Sequence, residues 1–180
     1  MLSKMSKSIL VVFLVLGAQA RATVLPDACG DDKVKFDVKL QKDQHTPSVP
    51  SADKALIVFE EAFDHGGGWC IKCDVTARVG LDGAWAGAAQ GNSWFAVSVT
   101  PGEHHVCADW QSVLGRLKKK VGLASFTAEP GKIYYYRIKV NLKTISKEYV
   151  EQDLELVPIN EDEGKYGIKA SALSDSQPRT

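Results

Sequence analysis

The chain has 180 residues, of which 44% are hydrophobic and 24% charged, and this is enough to bury one domain-sized core. Its 22 basic and 22 acidic residues cancel, so charge gives no reason to expect a nucleic-acid partner or an anionic membrane surface. The one basic run, 118–120, has no second basic cluster or interleaved aromatic residue beside it and is interpreted as a solvated loop.

Residues 1–22 have the pattern of a cleaved secretory signal peptide. Lys4 and Lys7 precede eight uninterrupted apolar residues, 9–16, and small residues spaced as in a cleavage site follow them. Eight helical residues span about 12 Å against the roughly 30 Å of a hydrocarbon core, which disfavours an uncleaved anchor and stable membrane insertion. Cleavage after Ala22 would leave 158 of the 180 residues. We therefore expect an exported protein, periplasmic or extracellular.

Residues 23–54 are predicted to form an N-terminal strand and a connector outside the main domain. From 33 to 40 charged and apolar residues alternate strictly, which is the pattern of a half-buried strand. Pro47 and Pro50 lie in the polar stretch that follows and keep it extended.

Residues 55–173 are predicted to form the main domain, a series of short strands separated by turns. The apolar run 55–63 is typical of a central strand. Asp82-Gly83 indicates a tight hairpin, because a type I′ turn needs positive φ at both of its central positions. Further strands are predicted at 93–99, from 104, at 132–140 and at 153–159, with turns at Pro101-Gly102 and Pro130-Gly131.

The strand at 132–140 has a clear period of two. Its alternation predicts that Tyr134, Tyr136, Ile138 and Val140 face the core, whereas Tyr135 faces solvent.

The chain gives only weak helical signals. Asn160 is suited to cap a short helix after 160, but Gly164 and Gly167 are expected to interrupt it. The polar tail 174–180 is predicted to be disordered. About eight strands without alternating helices predict an all-β chain, an antiparallel β-sandwich of about seven or eight strands with at most one or two short helices.

Four cysteines in an exported chain are interpreted first as two disulfides. A redox role for the Trp69-Cys70-x-x-Cys73 motif would need a helix N-terminus after Cys70 to stabilise its thiolate, and the residues that follow are strand-like. A local Cys70–Cys73 disulfide closing the glycine-rich loop 66–68 is favoured, with redox chemistry, metal binding or another pairing as alternatives.

Cys29 and Cys107 would then pair with each other. The period of two points Val106 and Ala108 inward and Cys107 outward, where it can anchor a segment lying over the sheet. The bridge would close a loop of about 78 residues, and the loop-entropy model assigns about 4 kcal/mol to closing a loop of that size.

The histidines and carboxylates are interpreted as structural. We expect His104 to be hydrogen-bonded at a turn and His105 to be exposed. His65 with the Cys70 and Cys73 pair would supply three zinc ligands at best, so no metal or cofactor is expected. No catalytic constellation is found, because Glu60 and Glu61 point to opposite faces of their strand and the known nucleophile and nucleotide motifs are missing.

The segments RVGLDGAWAG, GNSWFAVSVTPGEHHVCADW and FTAEPGKIYYYRIKV occur in this order. This pattern resembles an exported bacterial family known only as a domain of unknown function, over about residues 55–173, and is loosely similar to PEGA and transthyretin-like modules. The resemblance implies an immunoglobulin-like or transthyretin-like β-sandwich and assigns no catalytic residue. The positions that match its motifs, all with turn or core roles, are Asp82, Gly83, Pro101, Gly102, His104, Gly131, Lys132, Tyr134 and Tyr135.

The function expected from these patterns is non-catalytic. The chain is predicted to be a binding or structural domain of the cell envelope, with an unknown envelope protein or polymer as its partner. The alternatives are a thiol–disulfide oxidoreductase using Cys70 and Cys73 and, less favoured, a metal-binding protein.

Overall fold

The computed structural model describes residues 26–62, 75–111, 119–146 and 149–179, so the signal-like segment and the Cys70–Cys73 motif lie outside the described residues. The described chain is mostly β, as predicted, with one helix. Its elements are β1 (Phe36–Gln41), β2 (Ala55–Ala62), β3 (Thr76–Leu81), β4 (Ala84–Gln90), β5 (Ser93–Val99), β6 (Gly102–Trp110), β7 (Lys119–Lys120), β8 (Gly122–Ala128), β9 (Ile133–Ser146), β10 (Tyr149–Ile159), α1 (Glu161–Ala170) and β11 (Ala172–Pro178). These eleven strands exceed the seven or eight predicted, partly because β7 is only two residues long.

The strands form two sheets. One has the order β1-β11-β5-β2-β9-β10-β7 and the other the order β4-β3-β6-β8. The predicted antiparallel arrangement holds for six of the nine strand pairs of the described chain and is wrong for three, because β2–β9, β5–β11 and β7–β10 are parallel. Turn signals in a sequence reveal hairpin neighbours, which are antiparallel, but they do not reveal that β2 pairs with a strand more than 70 residues later.

The tail 174–180 was predicted to be disordered, and this is wrong for residues 174–178. These residues belong to β11, which pairs with β1 from Phe36↔Pro178 to Gln41↔Leu173. The polar side chains that suggested disorder have specific partners: Ser174 Oγ donates to Ala88 O at 2.6 Å, and Ser176 Oγ accepts from Ala88 N at 3.0 Å. The N-terminal strand is therefore part of the larger sheet rather than an appendage.

The two sheets share one hydrophobic cluster, which we call the central core. It is built from alternate residues of strands in both sheets, including Ile57, Phe59, Ala77, Val79, Val106, Ala108, Tyr136, Ile138 and Val140. The predicted inward face of β9 is confirmed, since Tyr136, Ile138 and Val140 are buried there and Tyr134 packs against the same cluster.

A second cluster lies on the opposite face of the larger sheet, beneath α1. It contains Leu56, Val58, Trp94, Tyr135 and Ile168. The prediction that Tyr135 faces solvent is wrong: Tyr135 does point away from the central core, but α1 covers it and leaves 5% of it exposed.

The helix α1 begins where Asn160 was expected to cap it. Asn160 and Glu163 form a capping box, in which Asn160 Oδ1 accepts from Glu163 N at 2.9 Å. The predicted interruption at Gly164 and Gly167 does not occur. Both glycines are buried, and a Cβ at either would overlap Tyr135 or Glu60, so they let the helix approach the sheet.

Candidate functional site

Cys29 and Cys107 form the disulfide that the sequence favoured, with their Cα atoms 5.4 Å apart. Cys107 points away from the central core, as predicted, but it is not exposed. Residues 26–35, which we call the N-terminal strap, lie over the outer face of the smaller sheet and bury both sulfurs.

Gly80 lets the strap lie flat on this face. It is paired with Cys107 in the β3–β6 ladder, directly below the strap. A Cβ at Gly80 would stand 2.8 Å from Ala28 O and 2.9 Å from Cys29 Cα, so any side chain would lift the strap from the sheet. The strap also accepts a backbone hydrogen bond from Gly83 N at Ala28 O, at 3.2 Å.

Arg78 is the second attachment of the strap, and its role was not predicted from the sequence. Its buried guanidinium donates to Asp32 O at 3.0 Å and to Val34 O at 2.5 Å, and it forms an ion pair with Asp109. The ring of Trp85 stacks against it at 4.2 Å. An arginine within the apolar run of β3 was the signal in the sequence, because a buried charge requires a partner.

The Asp82-Gly83 turn joins β3 to β4 with φ values of 51° and 87°, in the left-handed region that the hairpin prediction required. The Asp82 carboxylate accepts from His105 N at 2.8 Å and lies 2.6 Å from His104 Nδ1. His104 Nε2 lies 2.7 Å from Thr100 O. Both ring nitrogens therefore face acceptors, and only the protonated imidazole can donate to both.

The pKa shifts of this pair have the same origin. Partial burial by itself lowers the pKa of His104, but the hydrogen bonds to Asp82 and Thr100 outweigh it and raise the pKa. Partial burial likewise works against the lowering of the Asp82 pKa, which results from the hydrogen bonds that the carboxylate accepts from His105 and His104. The pair is therefore an ionic link between two turns.

Several residues of the family-like signature meet around this link. Phe126 stacks on His104 with ring centres 5.5 Å apart, and Tyr134 packs on Phe126 at 5.1 Å. Pro101 and Gly102 form the turn that enters β6, with Gly102 at φ 132°. Three signature residues, Gly131, Lys132 and Tyr135, lie elsewhere.

Gly131, at φ 73°, donates its N–H to Lys54 O at 2.7 Å in the turn before β9. Tyr135 lies under α1, on the far side of the larger sheet. Lys132 follows Gly131 in the same turn and accepts from Leu56 N at 2.9 Å. None of these three residues contributes to the surface around Asp82.

A groove of about 760 Å³ opens beside the Asp82-Gly83 turn, between the strap and β8. Polar and apolar side chains both line it, and Leu123 is 55% exposed there. The lining residues are Pro26, Asp27, Ala28, Asp82, His105, Val106, Leu123, Ala124 and Ser125. This is a concave surface whose walls are held by the disulfide and by the Asp82–His104 pair.

The geometry of the described residues does not assemble an acid–base pair. Glu60 faces α1 and accepts from Arg137 at 3.2 Å, whereas Glu61 faces the central core. In the part of the chain that the structure describes, no group of three or more side chains is placed to hold a metal ion, and no helix is long and apolar enough to cross a membrane.

Comparison of the chain with protein-family models, with curated proteins and with solved structures found no match.

Proposed function

We propose that this chain is an exported, non-catalytic domain that binds a partner or has a structural role in the cell envelope. The observation that carries the proposal is the Cys29–Cys107 disulfide, which holds the strap on the smaller sheet. Disulfides of this kind form and persist in oxidising compartments outside the cytoplasm. The signal-like residues 1–22 support the same localisation, periplasmic or extracellular.

The fold we propose is an immunoglobulin-like or transthyretin-like β-sandwich. Two sheets sharing the central core support this type, as does the signature that resembles the exported family. Scaffolds of this kind present loops and strand faces to partners while the core remains unchanged.

The groove beside Asp82 is the surface we propose for the partner, an envelope protein or polymer. On the strap side of the groove the disulfide of Cys29 and the hydrogen bonds of Arg78 fix the wall, and His104 fixes the Asp82 turn. A preformed concave surface with exposed Leu123 among polar groups is typical of a binding site.

Export and oxidation are tested together by expressing the full chain in a bacterium and fractionating the cells. Alkylation of the native protein followed by a non-reducing peptide map reports the pairing of all four cysteines. We expect a shortened chain outside the cytoplasm, with Cys29 linked to Cys107. A full-length cytoplasmic protein with both thiols alkylated would refute the proposal.

Binding is tested by crosslinking and pull-down from envelope extracts with the purified mature protein. Leu123→Asp places a charge in the groove, and Val49→Asp is the matched control because Val49 is 89% exposed in the connector, away from the groove. We expect the wild-type protein and the Val49→Asp variant to capture the same partner, and the Leu123→Asp variant to fail to capture it. Equal capture by all three proteins would rule out the groove, and no capture by any would leave only the structural role.

The Cys70–Cys73 motif supports a second candidate, a thiol–disulfide oxidoreductase. Purified protein incubated with dithiothreitol and insulin would then accelerate reduction of the insulin disulfides, and Cys70→Ser would abolish the acceleration. Equal rates with wild type, with the variant and without protein would end this alternative. Metal analysis of the oxidised protein tests the weaker metal-binding alternative in the same preparation.

A further inference from the structure

Glu61 is a carboxyl group buried between the two sheets. It follows Ile57 and Phe59 at alternate positions of β2, and this places its side chain on the face that lines the central core. Glu61 has 0% exposure, whereas carboxylates are rarely buried completely without a partner.

The described surroundings offer this carboxyl group no hydrogen bond. Neither oxygen of Glu61 has a partner among the described residues. Its register neighbours are Ser93 on β5 and Ile138 on β9, and Ser93 Oγ instead accepts from Gln90 N at 2.9 Å. Burial raises the pKa of Glu61 well above its usual range; the Ala77 amide lies near enough to oppose this, although it makes no hydrogen bond of good geometry with the carboxyl group.

Nor do the described neighbouring strands supply a compensating cation. Arg78 on β3 points to the strap, and Arg137 on β9 points to Glu60 on the α1 side. The described titratable groups that do face the central core are Tyr134 and Tyr136 on β9 and, at the far end of β6, His104. A buried carboxylate without a cation or donors is strongly disfavoured relative to the neutral acid.

We propose that Glu61 is a proton-dependent switch: its neutral acid allows the two sheets to close over the end of β2, and its ionisation opens that end. The step is a simple proton exchange with water. The carboxylic acid O–H bond breaks as the end of β2 becomes hydrated, and the proton goes to solvent. The rest of the larger sheet keeps its pairing because β2 is held along its length by β5 and β9.

The direction of the pH effect follows from the folded state holding the proton more tightly than the unfolded chain does. Below the pKa of an exposed glutamate, about 4.3, Glu61 is protonated in both the folded and the unfolded chain and the free energy of unfolding is highest. This stability is lost as pH rises through the higher folded pKa. Between the two values the unfolding equilibrium constant rises about tenfold per pH unit on account of this one group.

The first experiment compares wild type, Glu61→Gln and Glu60→Gln by urea unfolding from pH 4 to pH 9. Glutamine keeps the shape of the neutral acid without a titratable proton. Glu60→Gln is the control for replacing a carboxyl group of β2, because Glu60 is the neighbouring residue in β2 but faces α1 and pairs with Arg137. Burial also raises the pKa of Glu60, against the opposing effect of Arg137, so this variant should lose a smaller pH-dependent part of its own and keep that of Glu61. In wild type we expect the unfolding equilibrium constant to include a rise of about tenfold per pH unit that comes from Glu61. Glu61→Gln should lose this rise, and Glu60→Gln should keep it. Identical pH profiles for wild type and Glu61→Gln would overturn the proposal.

The second experiment needs only the wild-type protein, so it remains informative if a variant does not fold. The side-chain carboxyl carbon of Glu61 is followed by NMR during a pH titration, together with amide hydrogen exchange at residues 60–62. We expect the carbon to keep the shift of a neutral acid after the exposed glutamates have ionised. When it titrates, exchange at 60–62 should accelerate more than exchange in the middle of β2. Titration together with the exposed glutamates, or no added exchange, would refute the switch.

Discussion

His104 Nδ1 lies 2.6 Å from Asp82 Oδ2 while its Nε2 lies 2.7 Å from Thr100 O, so one imidazole joins the β3–β4 turn to the turn that precedes β6. Both turns lie at one end of the smaller sheet, and the β3–β4 turn forms part of the groove wall through Asp82. The protonated ring satisfies both acceptors, and the neutral ring satisfies only one. The stability of this end of the molecule should therefore depend on pH.

We predict that the stabilisation supplied by His104 is complete below about pH 6.5, the pKa of an unfolded-state histidine, and is lost as pH rises through the raised folded pKa. His104→Gln should remove this dependence and cost about 1 kcal/mol at pH 6, a value kept small because Asp82 is partly exposed to solvent. Urea unfolding at pH 6 and pH 8.5 measures it. A variant as sensitive to pH over this range as wild type would contradict the assignment.

The Cys29–Cys107 disulfide should contribute more than any other single link to the strap. It joins residues 78 positions apart, and the double variant Cys29→Ser with Cys107→Ser should lose about 4 kcal/mol of unfolding free energy in chemical denaturation. Since both sulfurs are buried, dithiothreitol should act on wild type only when the protein unfolds. Rapid reduction of the native protein would show that the strap detaches readily.

Arg78→Lys should destabilise the protein although it preserves the charge. In Arg78, Nη1 donates to Asp32 O and Val34 O while Nη2 donates to Asp109, and the single ammonium nitrogen of lysine cannot occupy both of these positions. Lysine also loses the planar stacking on Trp85. We expect a loss of about 3 kcal/mol, with faster proteolysis within residues 26–35. Arg179→Lys is the control, because that arginine pairs with Asp37 at the surface and its replacement should change little. Equal effects of the two substitutions would argue against a special role for Arg78.

Gly167→Ala should reverse the usual preference for alanine in helices. On an open helix face the substitution gains about 1 kcal/mol, but here the new Cβ would overlap the Glu60 carboxylate. Glu60 is buried and paired with Arg137, so it cannot move away without losing that pairing. We therefore expect a net loss of about 1–3 kcal/mol from overpacking, measured by thermal and urea unfolding. The loss should shrink in a Glu60→Ala background, which removes the obstructing group, and Lys169→Ala on the exposed side of α1 should be tolerated. A stabilised Gly167→Ala protein would place the helix farther from the sheet.

Local patterns were sufficient for much of the fold. The strands β2 and β5, the inward face of β9 and the Asp82-Gly83 hairpin follow from apolar periodicity and from turn residues that accept positive φ. The same period of two placed Cys107 on the outer face of β6, where a segment lying over the sheet could be attached, and this predicted its pairing with Cys29. Apart from the disulfide, whose cysteines are 78 positions apart, each of these features depends on residues close together in the chain.

Contacts between distant segments decided the remaining features. Whether Tyr135 meets water depends on α1 folding back over β9, and whether 174–178 form a strand depends on β1 offering its edge. The roles of Arg78 and Glu61 were hidden for the same reason. An ionisable residue in an apolar strand is a candidate for burial, but only packing between strands remote in sequence determines whether it is buried as a paired ion, as Arg78 is, or without a partner, as Glu61 is among the described residues.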